Sequence, residues 1–171
     1  KEENCDISDK MWPHHCYNVQ ELYDEDLSPE QLATVISKQI HHEHFPCNFL
    51  VGYYCDTLKD KITSSLDFKP ANFINLDCDQ YTSTYQALDF MARNKLIVKN
   101  TVIRYDDWNC GVISDLENEE YTWTEFETGQ SLAHKQVMEK YNIKCKLIYQ
   151  DYQTLLPKGK TVWIVEDILE K

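Results

Sequence analysis

Short apolar runs of β-type residues alternate along this chain with stretches of helical periodicity. That alternation restricts the fold to an α/β sheet architecture. The strand-like runs are Asn48-Phe49-Leu50-Val51-Gly52-Tyr53, Phe73-Ile74-Asn75-Leu76-Asp77, Thr101-Val102-Ile103-Arg104-Tyr105, Cys145 to Tyr149 and Thr161 to Val165. The first helix opens at Ser28-Pro29-Glu30, with a capping serine, proline at the first helical position and acid near the positive end. Leu32, Val35, Ile36 and Ile40 carry it to about Glu43, and Pro46 stops it. Further helices are predicted over Thr57 to Ser65, with Leu58 and Ile62 on one face, and over Thr82 to Asn94, with Tyr85, Leu88, Phe90 and Met91 as apolar candidates. Another is predicted over Thr124 to Tyr141, while residues 110–122 read as a loop. Pro157, Lys158 and Gly159 mark a turn between the last two strands. The predicted sheet is therefore mainly parallel, with an antiparallel hairpin at its C-terminal edge.

Composition narrows the class. The length of 171 residues fits one domain, and 42% apolar residues suffice for a core. The net charge of −12 argues against binding phosphate backbones or anionic lipid. No run approaches the length of a membrane-spanning helix. The seven cysteines are scattered, odd in number and without C-x-x-C spacing, which predicts thiols in a reducing, cytoplasmic setting. The chain starts at Lys1-Glu2-Glu3-Asn4 with neither Met nor an apolar signal region, so it is expected to be cut from something longer. Residues 1–26 read as a polar arm.

Two strand ends are loaded with acid, and in open α/β sheets ligands sit beyond the carboxyl ends of strands. One is Asn75-Leu76-Asp77-Cys78-Asp79-Gln80-Tyr81, and the other is Tyr105-Asp106-Asp107-Trp108. Extended geometry would place Asp77 and Asp79 on one face. If the two strands are neighbours, about 4.8 Å apart, up to four carboxylates converge. A hard divalent cation such as Mg²⁺, or Ca²⁺ or Mn²⁺, would offset their repulsion, and a carboxylate left over could act as general base. Such acids also cap helices or simply face water, and each pair alone is weak evidence.

Other groupings carry less. His41, His42 and His44, with Glu43, fit a solvated helix end better than a zinc site. His14 and His15 lack a partner at metal-site spacing. Of Trp12, Trp108, Trp123 and Trp163, only Trp108 adjoins the acids and could wall a substrate pocket. There is no Ser-His-Asp or Cys-His arrangement and no Walker-type loop.

The block from Asn75 to Tyr81, continued by Ser83-Thr84 and Ala87-Leu88, resembles the L-D-x-D-x-Y-x-S-T-x-x-A-L signature of the macrocin O-methyltransferase family. These are class I S-adenosylmethionine-dependent enzymes that methylate sugar hydroxyls. Gly52 to Leu58 resembles the family's G-x-F-x-D-T-L segment, Val102 to Trp108 its V-I-x-x-D-D-Y strand, and Glu127 to Ala133 its G-E-x-x-A-F helix start. The resemblance implies that Asp77, Asp106 and Asp107 hold a metal and that Asp79 is the general base. It implies S-adenosylmethionine and Mg²⁺ as cofactors and a small-molecule hydroxyl as acceptor. The metal would lower the hydroxyl's pKa, the base would take its proton, and the oxyanion would attack the sulfonium methyl in line.

The resemblance covers roughly residues 48–140. The family's sheet runs third, second, first, fourth, fifth, seventh, sixth strand. Its glycine-containing cofactor loop and ribose-holding acid should precede residue 48, yet residues 1–47 hold no glycine and no apolar strand, so no cofactor-binding residue can be named. The expectation is a Rossmann-like class I methyltransferase sheet lacking its first two strands. Residues 1–47 would form an N-terminal arm and lid-type helix, and residues 48–171 a partial methyltransferase domain. The exposed sheet edge would suit a second copy of the chain. The alternatives are a degenerate, non-catalytic module and an unrelated acidic metal-binding domain.

Overall fold

The computed structural model describes residues 27–40, 49–108, 128–151 and 159–169. Helix α1 (Pro29–Ile40) begins as its sequence predicts. The Ser28 N–H donates to Gln31 Oε1 at 2.7 Å, and the Gln31 N–H returns to Ser28 Oγ at 3.3 Å. This reciprocal cap satisfies two amides that the first turn leaves without helical partners.

The predicted strand at 48–53 does not form among its described residues, 49–53. Phe49 and Val51 are exposed, and Gly52 takes a φ of +131°. An isolated parallel strand has no ladder to join, and no described strand lies beside this one. The helix predicted over Thr57 to Ser65 is two short pieces, α2 (Tyr54–Thr57) and α3 (Asp60–Ser65), because Lys59 between them is extended.

The remaining elements follow the pattern closely: β1 (Phe73–Leu76), α4 (Tyr81–Arg93), β2 (Val102–Tyr105), α5 (Gly129–Lys140), β3 (Ile143–Gln150) and β4 (Thr161–Ile168). They build one four-stranded open sheet in the order β1-β2-β4-β3. Only β1 and β2 pair in parallel; β4 is antiparallel to both of its neighbours. The sheet is therefore mixed and mostly antiparallel, not mainly parallel. The lack of a strand over the described residues 49–53 removes the other parallel candidate.

The core lies on one face. Ile74 and Leu76 of β1 and Ile103 and Tyr105 of β2 alternate inward, as period-two geometry requires. They meet Leu88 of α4 and Val137 of α5, both fully buried, under helices that lie side by side. Phe73, Asn75, Val102 and Arg104 point to the other face. No helix among the described residues is long and apolar enough to cross a membrane.

Candidate metal centre

β1 and β2 run in register, with Leu76 opposite Tyr105, so both strands end at one level of the sheet. The ladder continues one step further, where the Asp106 N–H donates to Leu76 O at 3.0 Å. Asp77 thus leaves β1 beside Asp106. Asp77, Asp106 and Asp107 each bring a carboxylate oxygen within 4.8 Å of the other two. Asp77 is exposed, whereas Asp107 is only 9% exposed. The three residues to which the resemblance gives metal-holding roles are brought together.

Asp79 is not part of this trio. β1 ends at Leu76, so extended alternation does not reach Asp79, and the expected shared face with Asp77 is not formed. Asp79 instead adopts φ +53° in a three-residue turn closed by the Gln80 N–H on Cys78 O. Aspartate tolerates this left-handed region better than most residues. Three carboxylates converge among the described residues, not four.

Between the two acids, Cys78 is half-buried, and its thiol lies 3.3 Å from Thr84 Oγ1. Burial pushes its pKa up to about 11, only partly offset by hydrogen bonds with Thr84 and Gln130. It is a packed thiol, not a poised thiolate. Cys55 and Cys145 are also free.

Gln130, in the first turn of α5, is fully buried. Its Oε1 accepts the Asp107 N–H at 3.0 Å, and its Nε2 donates to Leu76 O at 3.3 Å. The next residue anchors the same loop, the Ser131 N–H donating to Trp108 O at 3.0 Å. Ser131 also closes the helix start by donating its hydroxyl to Thr128 O at 2.8 Å.

Positive charge already reaches the trio. Arg104 Nη2 is paired with Asp106 Oδ1, and its Nη1 donates to Asn75 Oδ1 at 2.5 Å. Lys160 Nζ lies 3.5 Å from the same Asp106 oxygen. Behind the acids stands an aromatic group. Trp108 packs 4.8 Å from Tyr105 and 5.2 Å from Trp163, centroid to centroid, and His134 lies 4.7 Å from Trp163.

The donor set suits a hard divalent cation. Three carboxylates offer oxygen only, and Ca²⁺ at about 2.3–2.6 Å from each ligand spans oxygens up to about 5 Å apart. Mg²⁺, at about 2.0–2.1 Å, calls for oxygens within about 4.2 Å of one another. Arg104 and Lys160 both lie on Asp106 Oδ1, so their charge would oppose a cation held by this carboxylate.

Sequence reasoning missed Gln130, whose residue type gives no hint of burial. It also passed over Arg104, although strand alternation from Arg104 to Asp106 offered that signal. The histidines at 14, 15, 41, 42 and 44, Trp12 and Trp123, and Cys5, Cys16, Cys47 and Cys110 lie outside the described residues. No family model matches the chain, and no curated protein is detectably similar to it in sequence.

Proposed function

We propose that this chain carries the metal- and acceptor-binding part of an S-adenosylmethionine-dependent O-methyltransferase. The observation that carries the reading is the convergence of Asp77, Asp106 and Asp107 at the carboxyl ends of two parallel neighbouring strands. The strand order supports it too: β1-β2-β4-β3 corresponds to the fourth, fifth, seventh and sixth strands of a class I methyltransferase sheet, with the seventh antiparallel. This second support is fold-level analogy.

On this reading the trio holds Mg²⁺ or another hard divalent cation, which supplies Lewis acidity toward an acceptor hydroxyl when bound. Asp79, outside the trio but two residues from Asp77, takes the hydroxyl proton. Trp108 walls the acceptor side, and Gln130 and Ser131 hold the Asp107-Trp108 backbone in place. A sugar or another small alcohol is the acceptor, and the cradle for S-adenosylmethionine lies outside the described residues.

A second reading is a methyltransferase-like module without catalysis. It is favoured by Arg104 and Lys160, which already place two cations at Asp106. Two measurements separate them. Mg²⁺ titration should raise the melting temperature of the wild-type chain by mass action, and an Asp106→Asn/Asp107→Asn variant should lose that rise. Calorimetry with S-adenosylmethionine on this chain should give measurable heat. Absence of binding would sink the methyltransferase reading.

A further inference from the structure

We infer that Gln130 is the positioning residue of the acid trio, a clamp that ties the end of β1 to the end of β2. The inference rests on the metal reading of the trio given above. It starts from a problem of charge. Three carboxylates with oxygens within 4.8 Å repel one another, and they stand where the β1–β2 ladder gives out. The last backbone bond joining the two strands is that from Asp106 N–H to Leu76 O. Beyond it, nothing in the ladder keeps Asp77 beside Asp106 and Asp107.

Gln130 supplies that tie from a third element. Its amide accepts from Asp107 N–H and donates to Leu76 O, so one rigid planar group spans both strand ends. Leu76 O has two lone pairs and serves Asp106 N–H and Gln130 Nε2 together. The anchor is firm, because the Ser131 N–H, one residue on, binds Trp108 O. Burying an amide is costly unless both ends are paired, and an aliphatic residue would fill this space without that cost. The amide is therefore suited to fixing backbone geometry, as residues beyond the ligands commonly do around metal sites.

The test uses Gln130→Met, which keeps the side chain's reach and deletes both bonds to the strand ends, together with the contact to the Cys78 thiol. Amide hydrogen exchange at Asp107 should become faster than in the wild type. Free Mn²⁺ followed by electron paramagnetic resonance should show binding weaker by about 10-fold or more. Faster exchange with unchanged Mn²⁺ affinity would overturn the positioning role, and unchanged exchange at Asp107 would overturn the clamp itself. If the wild-type chain takes up no Mn²⁺, the metal reading fails, and the exchange result alone decides the clamp. Should Gln130→Met not fold, ¹⁵N NMR of the wild-type chain replaces it. On Mg²⁺ titration the Gln130 side-chain amide should shift together with the Asp107 backbone amide. A Gln130 amide that stays still while Asp107 moves would overturn the inference.

Discussion

The Tyr105 hydroxyl lies 2.7 Å from His134 Nδ1, and both side chains are buried in the core behind the acid trio. Tyr105 projects from the last residue of β2 and His134 from the second turn of α5, so this bond joins the sheet to the helix that carries Gln130. Burial also sets its protonation. It holds the Tyr105 phenol well above its usual pKa, keeping it protonated, and pushes the His134 imidazole down to about 4.

A pH dependence follows. The unfolded chain protonates this histidine at about 6.5 and the folded chain only at about 4. Protons therefore favour the unfolded state as pH falls between those values. Stability is complete above pH 6.5, declines through the window and levels off below pH 4. His134→Gln should flatten that decline. Between pH 7 and pH 5 the wild type should lose about 2 kcal/mol more than the variant in urea unfolding. Parallel curves for the two proteins would show that His134 is not buried neutral.

A second prediction concerns the outer face of the helix pair. Asp89 of α4 receives Lys140 Nζ at 2.7 Å, Tyr141 OH at 2.9 Å and Arg93 Nη1 at 2.9 Å, with only 13% of its side chain exposed. Burial alone would raise its pKa, but the hydrogen bonds from Lys140 and Tyr141, the Lys140 charge and Arg93 outweigh it and hold the carboxyl below its usual value. The stabilisation is present above the unfolded pKa and is lost as pH falls through the lower folded value. Asp89→Ala should cost about 1–2 kcal/mol at pH 7, since charged hydrogen bonds are removed while the partly exposed Lys140 and Arg93 side chains can rehydrate. The penalty, read by denaturant unfolding, should shrink in strong acid.

The pattern of apolar residues gave away most of this fold because most of it is local. Ser28, Pro29 and Gln31 write a helix start within four residues, and Ile103 and Tyr105 write an inward face by simple alternation. The paired acids were visible because the resemblance and the strand-end argument both mark Asp77, Asp106 and Asp107. What failed depends on partners. Phe49 to Tyr53 has strand composition but no described neighbour to pair with, and Asp79 lies one turn past the end of β1. Gln130 was hidden for a related reason, since its role exists only once α5 is laid across two strand ends that are 54 and 23 residues away in sequence.

A third prediction separates core from surface on the sheet. Leu88, on the inward face of α4, is fully buried, whereas Phe73, though aromatic and in β1, is 57% exposed. Leu88→Ala should destabilise by about 2–5 kcal/mol through lost burial and a cavity. Phe73→Ala should cost well under half of that, because most of its surface already meets water. Equal losses in thermal unfolding would mean that something in solution covers the β1 face.

The last prediction turns on Arg104, the cation nearest the trio. It is placed by strand alternation on the same face as Asp106, and cross-strand pairing sets it opposite Asn75, which accepts its Nη1 at 2.5 Å. In the metal-free chain it neutralises part of the carboxylate repulsion, so removing it should lower stability at neutral pH. A divalent cation on the trio would compete with Arg104 for the Asp106 carboxylate's charge, so removing Arg104 should also strengthen metal binding. A partly exposed pair contributes up to about 1 kcal/mol, which corresponds to about fivefold in Kd. Arg104→Met should therefore bind Mn²⁺ up to about fivefold more tightly while melting at a lower temperature without metal. The two effects have opposite signs, which distinguishes competition from general disruption. Weaker Mn²⁺ binding in this variant would show that Arg104 supports the metal geometry and does not oppose the ion.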